Sequence, residues 1–259
     1  MRRVIPALVT MAVALSQEAK PTFEVTTVKP NNANDPGQLI RLAGDTPSMR
    51  HYTLRNMILF AYTIHDFQLT DGPNWIDSDY YDVQGKTTPD ATIEQKRLMF
   101  QSLLADRFKL AIHRETKELP VFNLTVAKGG LKIGPLKPGE CPKPGDPPAP
   151  GNTVINYCGG VMFGRNVLDA NGATMTEFAT YLSRTVGHIV TDKTGTSGQY
   201  HFRVTFTPDE TATPQPGAPP VDGPSIYTAL QEQLGLKLDS AKGPVEVLVI
   251  DHAEKPSEN

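Results

Sequence analysis

Hydrophobic and polar positions alternate most regularly between residues 199 and 206. Every second residue there is apolar, and the apolar set is Tyr200, Phe202, Val204 and Phe206. Because successive side chains of a strand point to opposite faces, this pattern predicts a strand with one buried and one wetter face. Residues 121–126 and 245–250 also read as strands. A slip of one residue would exchange their faces, so their register stays open.

A spacing of four residues marks a helix over residues 92–108. Its apolar side chains form two pairs on a shared face, and these are Met99 with Leu103 and Phe100 with Leu104. The start of the helix carries a capping box, Thr92-Ile93-Glu94-Gln95, whose side chains satisfy amide donors of the first turn. The sequence therefore predicts both the face and the first turn of this helix.

Other helix ends carry signals of their own. Thr174-Met175-Thr176-Glu177 is a second capping box, and Ser225 after Pro224 is a simpler N-cap. Gly187 and Gly235 stand where a left-handed residue would end a helix. These signals predict one helix after residue 174 and another after residue 225.

Two parts of the chain carry matching anchors in the same order. In the first part the anchors are Thr53-Leu54, Tyr81-Asp82-Val83, Phe108-Lys109-Leu110 and Pro120-Val121. Their counterparts in the second part are Thr174-Met175, Tyr200-His201-Phe202, Leu236-Lys237-Leu238 and Pro244-Val245. The offsets stay between 119 and 128 residues. Chance similarity is the alternative, but the shared order of several anchors favours an internal duplication.

Each part has the same predicted plan of strand, helix, strand, strand, helix, strand and strand. The predicted fold class is therefore α+β, with two duplicated units in which two helices pack with small mixed or antiparallel sheets. This order of elements resembles that of secretin N0 domains and TonB-receptor signalling domains, in which helices lie between small sheets. The likeness is one of element order, so it implies a fold and no function.

Proline-rich segments separate the predicted units. Residues 134–153 contain seven prolines, and residues 208–224 contain six. Since proline lacks the amide donor and fixes φ, neither segment can sustain a helix or a central strand. We interpret 134–158 as a linker between a first α+β unit, 22–133, and a second unit, 159–257. The other proline-rich segment is predicted to be a loop within the second unit.

Residues 1–17 have the organisation of a secretory signal peptide. Arg2 and Arg3 precede a short apolar run, and Ala14-Leu15-Ser16 gives a small-x-small cleavage pattern. An uncleaved anchor is the alternative, but the run is shorter than the roughly 20 residues that span a bilayer. We expect a secreted or periplasmic protein without a membrane span after cleavage. Loss of the two arginines changes the formal net charge from −3 to −5. A chain with this acidic balance has no excess of basic residues for binding nucleic acid.

The two cysteines, Cys141 and Cys158, lie within or beside the first proline-rich segment. In a chain bound for an oxidising compartment, such a pair favours a disulfide. Closing a loop of this length would stabilise the fold by about 3 kcal/mol in the chain-entropy model. A metal site is the alternative, but no C-x-x-C motif or nearby histidine pair accompanies the cysteines.

Lys193-Thr194-Gly195 matches a catalytic motif of serine β-lactamases and penicillin-binding proteins. That chemistry also needs a serine nucleophile in a Ser-x-x-Lys motif, which the sequence lacks. Asp192, Gly195 and Gly198 instead supply turn conformations between two strands, so we predict a structural turn. The six histidines show no metal-ligand spacing, and no phosphate loop or dinucleotide fingerprint is present. We therefore predict no catalytic residue, no metal and no cofactor.

Aromatic and acidic residues group at Trp75, Asp77, Asp79 and Tyr80, which we take as the candidate ligand-binding residues. Trp75 is the only tryptophan, and grouped aromatic rings can form a platform for a sugar or a peptide. The ring can equally pack on the core and hold its own loop in place, and we favour this second interpretation. The aspartates can form the carboxylate pair of a glycoside hydrolase, or they can belong to a solvated hairpin, which we favour.

Four segments carry a resemblance to a known family, and they are TLRNMILFAYTIHDFQLTDGPNWIDSDYYDV, LLADRFKLAIHRETKELPVFNLTVAKGG, VTDKTGTSGQYHFRVTFTPD and ALQEQLGLKLDSAKGPVEVLVIDHAEKPSEN. They resemble an exported, uncharacterised paralogous family expanded in soil Acidobacteria, over about residues 22–257. Related domains are attached to membrane metallopeptidases similar to the β-lactam-sensing BlaR type, which implies an extracytoplasmic sensing or binding role. The resemblance implies no activity, and the metallopeptidase His-Glu motif is absent.

These observations predict a non-catalytic binding or interaction module that acts outside the cytoplasm, with a sensory use as one option. Its expected partner is a protein, a peptide or a glycan of unknown identity. The alternative is an extracytoplasmic hydrolase that acts on cell-wall or plant polysaccharide through the aspartates near Trp75.

Overall fold

The computed structural model describes residues 20–31, 37–137, 160–164, 166–207 and 223–256. Within these ranges the chain consists of α-helices and three small β-sheets, which confirms the predicted α+β class. The predicted signal peptide, most of both proline-rich segments and the pair Cys141 and Cys158 lie outside these ranges. Those predictions therefore stay predictions.

The elements follow one another along the chain as short strands and helices, apart from two long strands. The strands are β1 (Val25–Pro30), β2 (Leu39–Arg41), β3 (Ser48–Thr53), β4 (Leu69–Thr70), β5 (Tyr80–Lys86), β6 (Ala111–Val126), β7 (Gly160–Gly164), β8 (Val167–Ala173), β9 (Val190–Asp192), β10 (Tyr200–Thr205) and β11 (Leu236–His252). The α-helices are α1 (Leu54–Tyr62), α2 (Trp75–Ser78), α3 (Ile93–Arg107), α4 (Met175–Val186) and α5 (Ile226–Ala229). A 3₁₀ turn, Asp66–Gln68, precedes β4, and a π-helical turn, Leu230–Leu234, continues α5.

The described strands form three sheets. The first has the order β1-β5-β3-β2 and the second the order β10-β8-β7, and all pairings in both are antiparallel. The third has the order β4-β11-β6-β9. In that sheet β4 runs parallel to β11 and β9 runs parallel to β6. The two long strands are thus neighbours at the centre of a four-stranded sheet with a short strand at each edge.

Two series of elements occur in the same order, although each ends in one long strand where two strands were predicted. One series is β3, α1, β4, β5, α3 and β6, with α2 inserted between β4 and β5, and the other is β8, α4, β9, β10, α5 and β11. The sheet orders β5-β3-β2 and β10-β8-β7 correspond position by position. Each short strand, β4 or β9, pairs with the long strand of the other series. This correspondence agrees with the expectation of a duplication, but common ancestry of the two series is not shown and stays a proposal.

The chain divides into two compact units that differ in their boundaries from the predicted 22–133 and 159–257. Unit 1 takes residues from 1–64, 71–112 and 250–259, and unit 2 takes 65–70 and 113–249. The difference follows from strand pairing, because β4 joins the sheet that contains β6 and β11. Residues near the end of the chain belong to unit 1, since β11 leaves unit 2 before it ends.

The helices begin where the sequence signals place them. Thr92 accepts a hydrogen bond from the amide of Gln95 at 3.2 Å, and the Gln95 side chain accepts one from the amide of Thr92 at 2.8 Å. Thr174 and Glu177 make the same exchange at 3.2 and 2.8 Å, so both predicted capping boxes are confirmed. Ser225 caps α5, as predicted. These bonds satisfy amide donors that the first turn of a helix leaves unpaired.

Two helices end at glycines with left-handed backbone conformations, which confirms a further prediction. Gly187 follows α4 with φ 66°, and Gly235 follows the π-helical turn with φ 70°. At Gly235 a β-carbon would lie only 2.1 Å from the carbonyl oxygen of Gly130, whereas one at Gly187 would meet no such neighbour within 4 Å among the described residues. Gly235 therefore meets a steric requirement as well as a conformational one.

The core of unit 1 is assembled around α3. The ring of Phe100 meets those of Phe23 and Phe60 edge-on, with centroids 5.0 and 5.8 Å apart. Phe108, directly after α3, meets Tyr81 edge-on at 5.1 Å. Such edge-to-face pairs add to the free energy gained from burial alone. The predicted apolar face of this helix is confirmed, because Phe100, Leu103 and Leu104 are buried, while Met99 is half-buried.

The core of unit 2 contains the strand with the clearest alternation. Residues of β10 are buried and exposed in turn, as predicted, and Phe202 meets Phe178 of α4 edge-on at 4.8 Å. The two long strands do not alternate strictly. In β11 the adjacent residues Val247 and Leu248 are both buried, so apolar contacts cover both faces of the strand there. Because both faces are apolar there, the sequence pattern did not determine which residues of β11 face which side.

Candidate functional site

Trp75 begins α2, a short helix in unit 1. The next residue, Ile76, is buried and attaches the helix to the core. The indole of Trp75 stacks on the ring of Phe108, with centroids 6.5 Å apart and planes at 16°. Trp75 as a residue is half-buried, so its neighbours do not enclose it completely. It therefore packs on the core and keeps part of its surface accessible.

A lysine from the end of the chain lies beside this indole. Lys255 Nζ is 5.8 Å from the centroid of the Trp75 ring, which is within the range of a cation–π contact. The same ammonium group donates to Oδ2 of Asp79 at 2.7 Å. The backbone amide of Glu254 donates to the carbonyl of Phe108 at 2.7 Å and holds the chain end next to the stacked rings. The ring, the carboxylate and the ammonium group thus form one cluster.

The charge of Asp79 is stabilised by its neighbours. The hydrogen bond from Lys255 is the largest influence on the Asp79 carboxyl and lowers its pKa below the usual value. Burial opposes this shift, and a hydrogen bond from Ser78 Oγ at 3.1 Å lowers the pKa further. A lowered pKa keeps the group ionised at neutral pH. Asp79 is therefore a hydrogen-bond acceptor and an anion in this cluster, and it holds no proton to give to a substrate.

Asp77 has a different cation for a partner. Its carboxylate pairs with the guanidinium of Arg55, which lies in α1. The Asp77 side chain is 51% exposed and that of Asp79 is 33% exposed. In a glycoside hydrolase two carboxyl groups face the same bond, and one of them keeps its proton through a raised pKa. Here each of the two aspartates pairs with its own cation.

Tyr80, the first residue of β5, lies against a distorted part of the neighbouring strand. Its ring stacks on the imidazole of His51, with centroids 3.9 Å apart and planes at 9°. His51 has φ 57°, and the register of β3 against β5 shifts between Met49 and Tyr52, as it does at a β-bulge. The carboxylate of Asp82 accepts the amide of His51 at 2.9 Å. This bond gives the amide of His51 a partner within the irregular part of the strand pair.

Residues 55–253 match the family model described as a protein of unknown function, DUF3738. The chain belongs to the DUF3738 family. No curated protein and no solved structure matches it. The matched range contains all four candidate residues and Arg55, and it ends two positions before Lys255.

Sequence reasoning missed several residues of the candidate site in this DUF3738 protein, among them Lys255, Arg55 and His51. Lys255 is far from Trp75 along the chain, and nothing near it in the sequence indicates a partner. Arg55 lies in α1 and Asp77 in α2, and no spacing rule relates two separate helices. The bulge at His51 leaves only a weak signal, because histidine adopts a positive φ more often than most residues but far less readily than glycine.

The predicted turn after β9 has the geometry that turn residues provide. Gly195 and Gly198 have φ of 68° and 101°. The carboxylate of Asp192 accepts from the amide and the hydroxyl of Thr194, at 2.9 and 2.8 Å, as in an Asx-turn. Thr176 of α4 donates to the other oxygen of Asp192 at 3.0 Å. The Lys-Thr-Gly residues therefore lie in a loop that is tied to the adjacent helix.

Two further features were sought in the described ranges. Nowhere among those residues do three or more His, Cys, Asp or Glu side chains group so that they could hold a metal ion. Among the same residues no helix has both the length and the apolar character that crossing a bilayer requires.

Proposed function

We propose that this DUF3738 protein is a secreted or periplasmic binding module that recognises its ligand at Trp75 without catalysing a reaction. The observation that carries this proposal is the indole of Trp75, fixed on Phe108 and flanked by the charged pair of Asp79 and Lys255. Tryptophan supplies a large contact area and loses little conformational freedom when it binds. Such rings are common anchors of interfaces.

Support for export comes from the sequence. The charged, apolar and small-residue regions within residues 1–17 follow the order of a signal peptide. The pair Cys141 and Cys158 suits an oxidising compartment. The resemblance to domains attached to membrane metallopeptidases of the BlaR type favours a sensory use of the binding site. The ligand is proposed to be a protein, a peptide or a glycan outside the cytoplasm.

A titration of the purified mature protein tests the binding site, with Trp75 as the only tryptophan and therefore an unambiguous fluorescence reporter. The probes are peptidoglycan fragments, short peptides and neutral oligosaccharides. We expect one class to change the emission of Trp75, and calorimetry to show that Trp75→Ala weakens that binding about tenfold or more. Tyr227→Ala is the matched control, since Tyr227 is a 40% exposed aromatic residue in unit 2.

Two results would count against the proposal. If none of the probe classes binds, Trp75 does not mark a ligand site. If the protein releases reducing ends from cell-wall or plant polysaccharide, and Asp77→Asn or Asp79→Asn abolishes that release, the hydrolase alternative replaces it. Export is tested separately by N-terminal sequencing of the protein from the periplasm and the medium, where we expect a mature end near Gln17.

A further inference from the structure

The resident neighbour of Trp75 indicates what kind of group the site accepts. Lys255 is a primary ammonium group that contacts both the indole and the carboxylate of Asp79. We propose that Trp75 and Asp79 form a binding site for a primary ammonium group of the ligand, and that Lys255 occupies this site until a ligand amine displaces it. This inference rests on the proposed function, because it names the ligand class of the same site.

The two recognition groups are held in place without help from Lys255. Trp75 stacks on Phe108, and Ile76 anchors the helix. The backbone amide of Asp79 donates to the carbonyl of Trp75 at 3.0 Å, which places the backbone of Asp79 next to the ring, and Ser78 Oγ donates to the Asp79 carboxylate at 3.1 Å. Departure of the lysine would therefore leave an aromatic face and an ionised acceptor in their present positions. A site that is organised before binding needs little further ordering when it binds.

The chemistry of the pair selects one kind of cation. An indole face attracts any cation through its ring quadrupole. The carboxylate of Asp79, in contrast, accepts a hydrogen bond, and an ammonium group has three N–H donors whereas a quaternary ammonium has none. The site is therefore expected to prefer a lysine side chain or a free amino group over a quaternary ammonium or a neutral sugar.

Lys255 is placed so that it can be displaced. Its side chain is 58% exposed, and it lies after β11, where a backbone bond from Glu254 to Phe108 holds the chain. An exposed cation–π contact and an exposed ion pair are each weak. Together they correspond to roughly a threefold to thirtyfold preference for the closed arrangement. A ligand with further contacts can overcome a preference of that size.

The test titrates the mature protein with Nα-acetyl-lysine methylamide while the emission of Trp75 is recorded. The Nε-acetylated form and the Nε-trimethylated form of the same compound are the comparison probes. We expect the free amine to bind more tightly than both, and Lys255→Ala to bind it roughly threefold to thirtyfold more tightly than the unaltered protein. Asp79→Asn in the Lys255→Ala background should lose the preference for the free amine over the trimethylated form, because the indole alone attracts both cations. Lys242→Ala is the matched control, because Lys242 is an exposed lysine elsewhere.

The outcomes separate this inference from the function on which it rests. Equal binding of the free and the Nε-acetylated probe, or no gain in affinity from Lys255→Ala, would overturn the inference. If an oligosaccharide or another amine-free probe binds at Trp75 and the lysine probe does not, the binding function stands and the ammonium site is wrong. If nothing binds at Trp75 in either background, both fail.

Discussion

Lys255 and Asp79 form a direct hydrogen bond of 2.7 Å, although Lys255 follows the last strand of the chain and Asp79 precedes β5. The bond places the last described part of the chain against the junction between α2 and β5. Both residues belong to unit 1, so this contact joins two chain segments of that unit that are distant in the sequence. Lys255 also lies over the ring of Trp75, the only tryptophan in the sequence. The fluorescence of that residue can therefore report on the contact.

The pH dependence of this contact is our first prediction. The bond from Lys255 lowers the pKa of Asp79 below its ordinary value of 3.8. A carboxyl whose pKa is lowered by folding contributes stability above its unfolded pKa and loses that contribution as the pH falls through the folded value. The contact should therefore stay intact from neutral pH to about pH 4 and open only below that.

An NMR titration of the Asp79 side-chain carbon measures this pKa directly. In Lys255→Ala the largest cause of the shift is absent, so we expect the midpoint to rise towards 3.8. Lys242→Ala should leave the titration of Asp79 unchanged. Identical midpoints in the unaltered protein and in Lys255→Ala would show that the bond does not hold in solution.

Local signals in the sequence predicted local structure well. The capping boxes at Thr92 and Thr174 depend on residues three positions apart, and the left-handed end at Gly187 depends on a single residue. The alternation in β10 likewise requires only that one face of the strand is covered. In each case the residues that determine the structure are neighbours in the sequence, so their pattern can be recognised without knowledge of the fold.

The site itself depends on contacts between distant segments, and the sequence predicted it only in part. Trp75, Asp79 and Tyr80 were recognised because they are close together in the chain. Their partners Lys255 and His51 come from the chain end and from a bulge in β3. The parallel pairing of β4 with β11 was missed for the same reason, since two residues of strand carry no information about a partner that far along the chain.

A second prediction concerns the glycine after the π-helical turn. At Gly235 both the left-handed φ and the carbonyl oxygen of Gly130, which would lie 2.1 Å from an added β-carbon, oppose any side chain. We expect Gly235→Ala to lower the free energy of unfolding by about 2–5 kcal/mol, measured by urea denaturation. Gly187→Ala is the matched control, because its φ is similar but its surroundings are open, and it should lower that free energy by only about 1–2 kcal/mol. Equal losses at the two positions would mean that the close approach to Gly130 does not matter.

The predicted disulfide is a third test, and it concerns residues outside the described ranges. If Cys141 and Cys158 are joined, alkylation of the unfolded protein should label neither cysteine without a reductant and both with one, as mass spectrometry would show. Reduction should lower the free energy of unfolding by about 3 kcal/mol, because the unfolded chain regains the freedom of the closed loop. Labelling without a reductant in protein taken from the periplasm would contradict the prediction.

The buried lysine of unit 1 gives the last prediction. Lys96 in α3 is only 4% exposed, and its Nζ donates to the carbonyl oxygens of Leu42 and Gly44 at 2.8 and 2.9 Å. These bonds fasten the first turns of α3 to the segment between β2 and β3. Lys96→Met keeps an unbranched side chain of similar length but removes the donors and leaves two carbonyls without these partners. Since a buried polar group without a hydrogen bond is destabilising, the free energy of unfolding should fall by about 1–3 kcal/mol.

Lys128→Met is the matched control for that change, because Lys128 is exposed and the same substitution there should alter the free energy of unfolding by less than about 0.5 kcal/mol. Urea denaturation of both variants measures the difference. The slope of the transition should stay the same, since neither change alters how much surface unfolding exposes. A Lys96→Met variant as stable as the Lys128→Met variant would show that the two carbonyl bonds contribute nothing, and that the methylene stem alone accounts for the burial of Lys96.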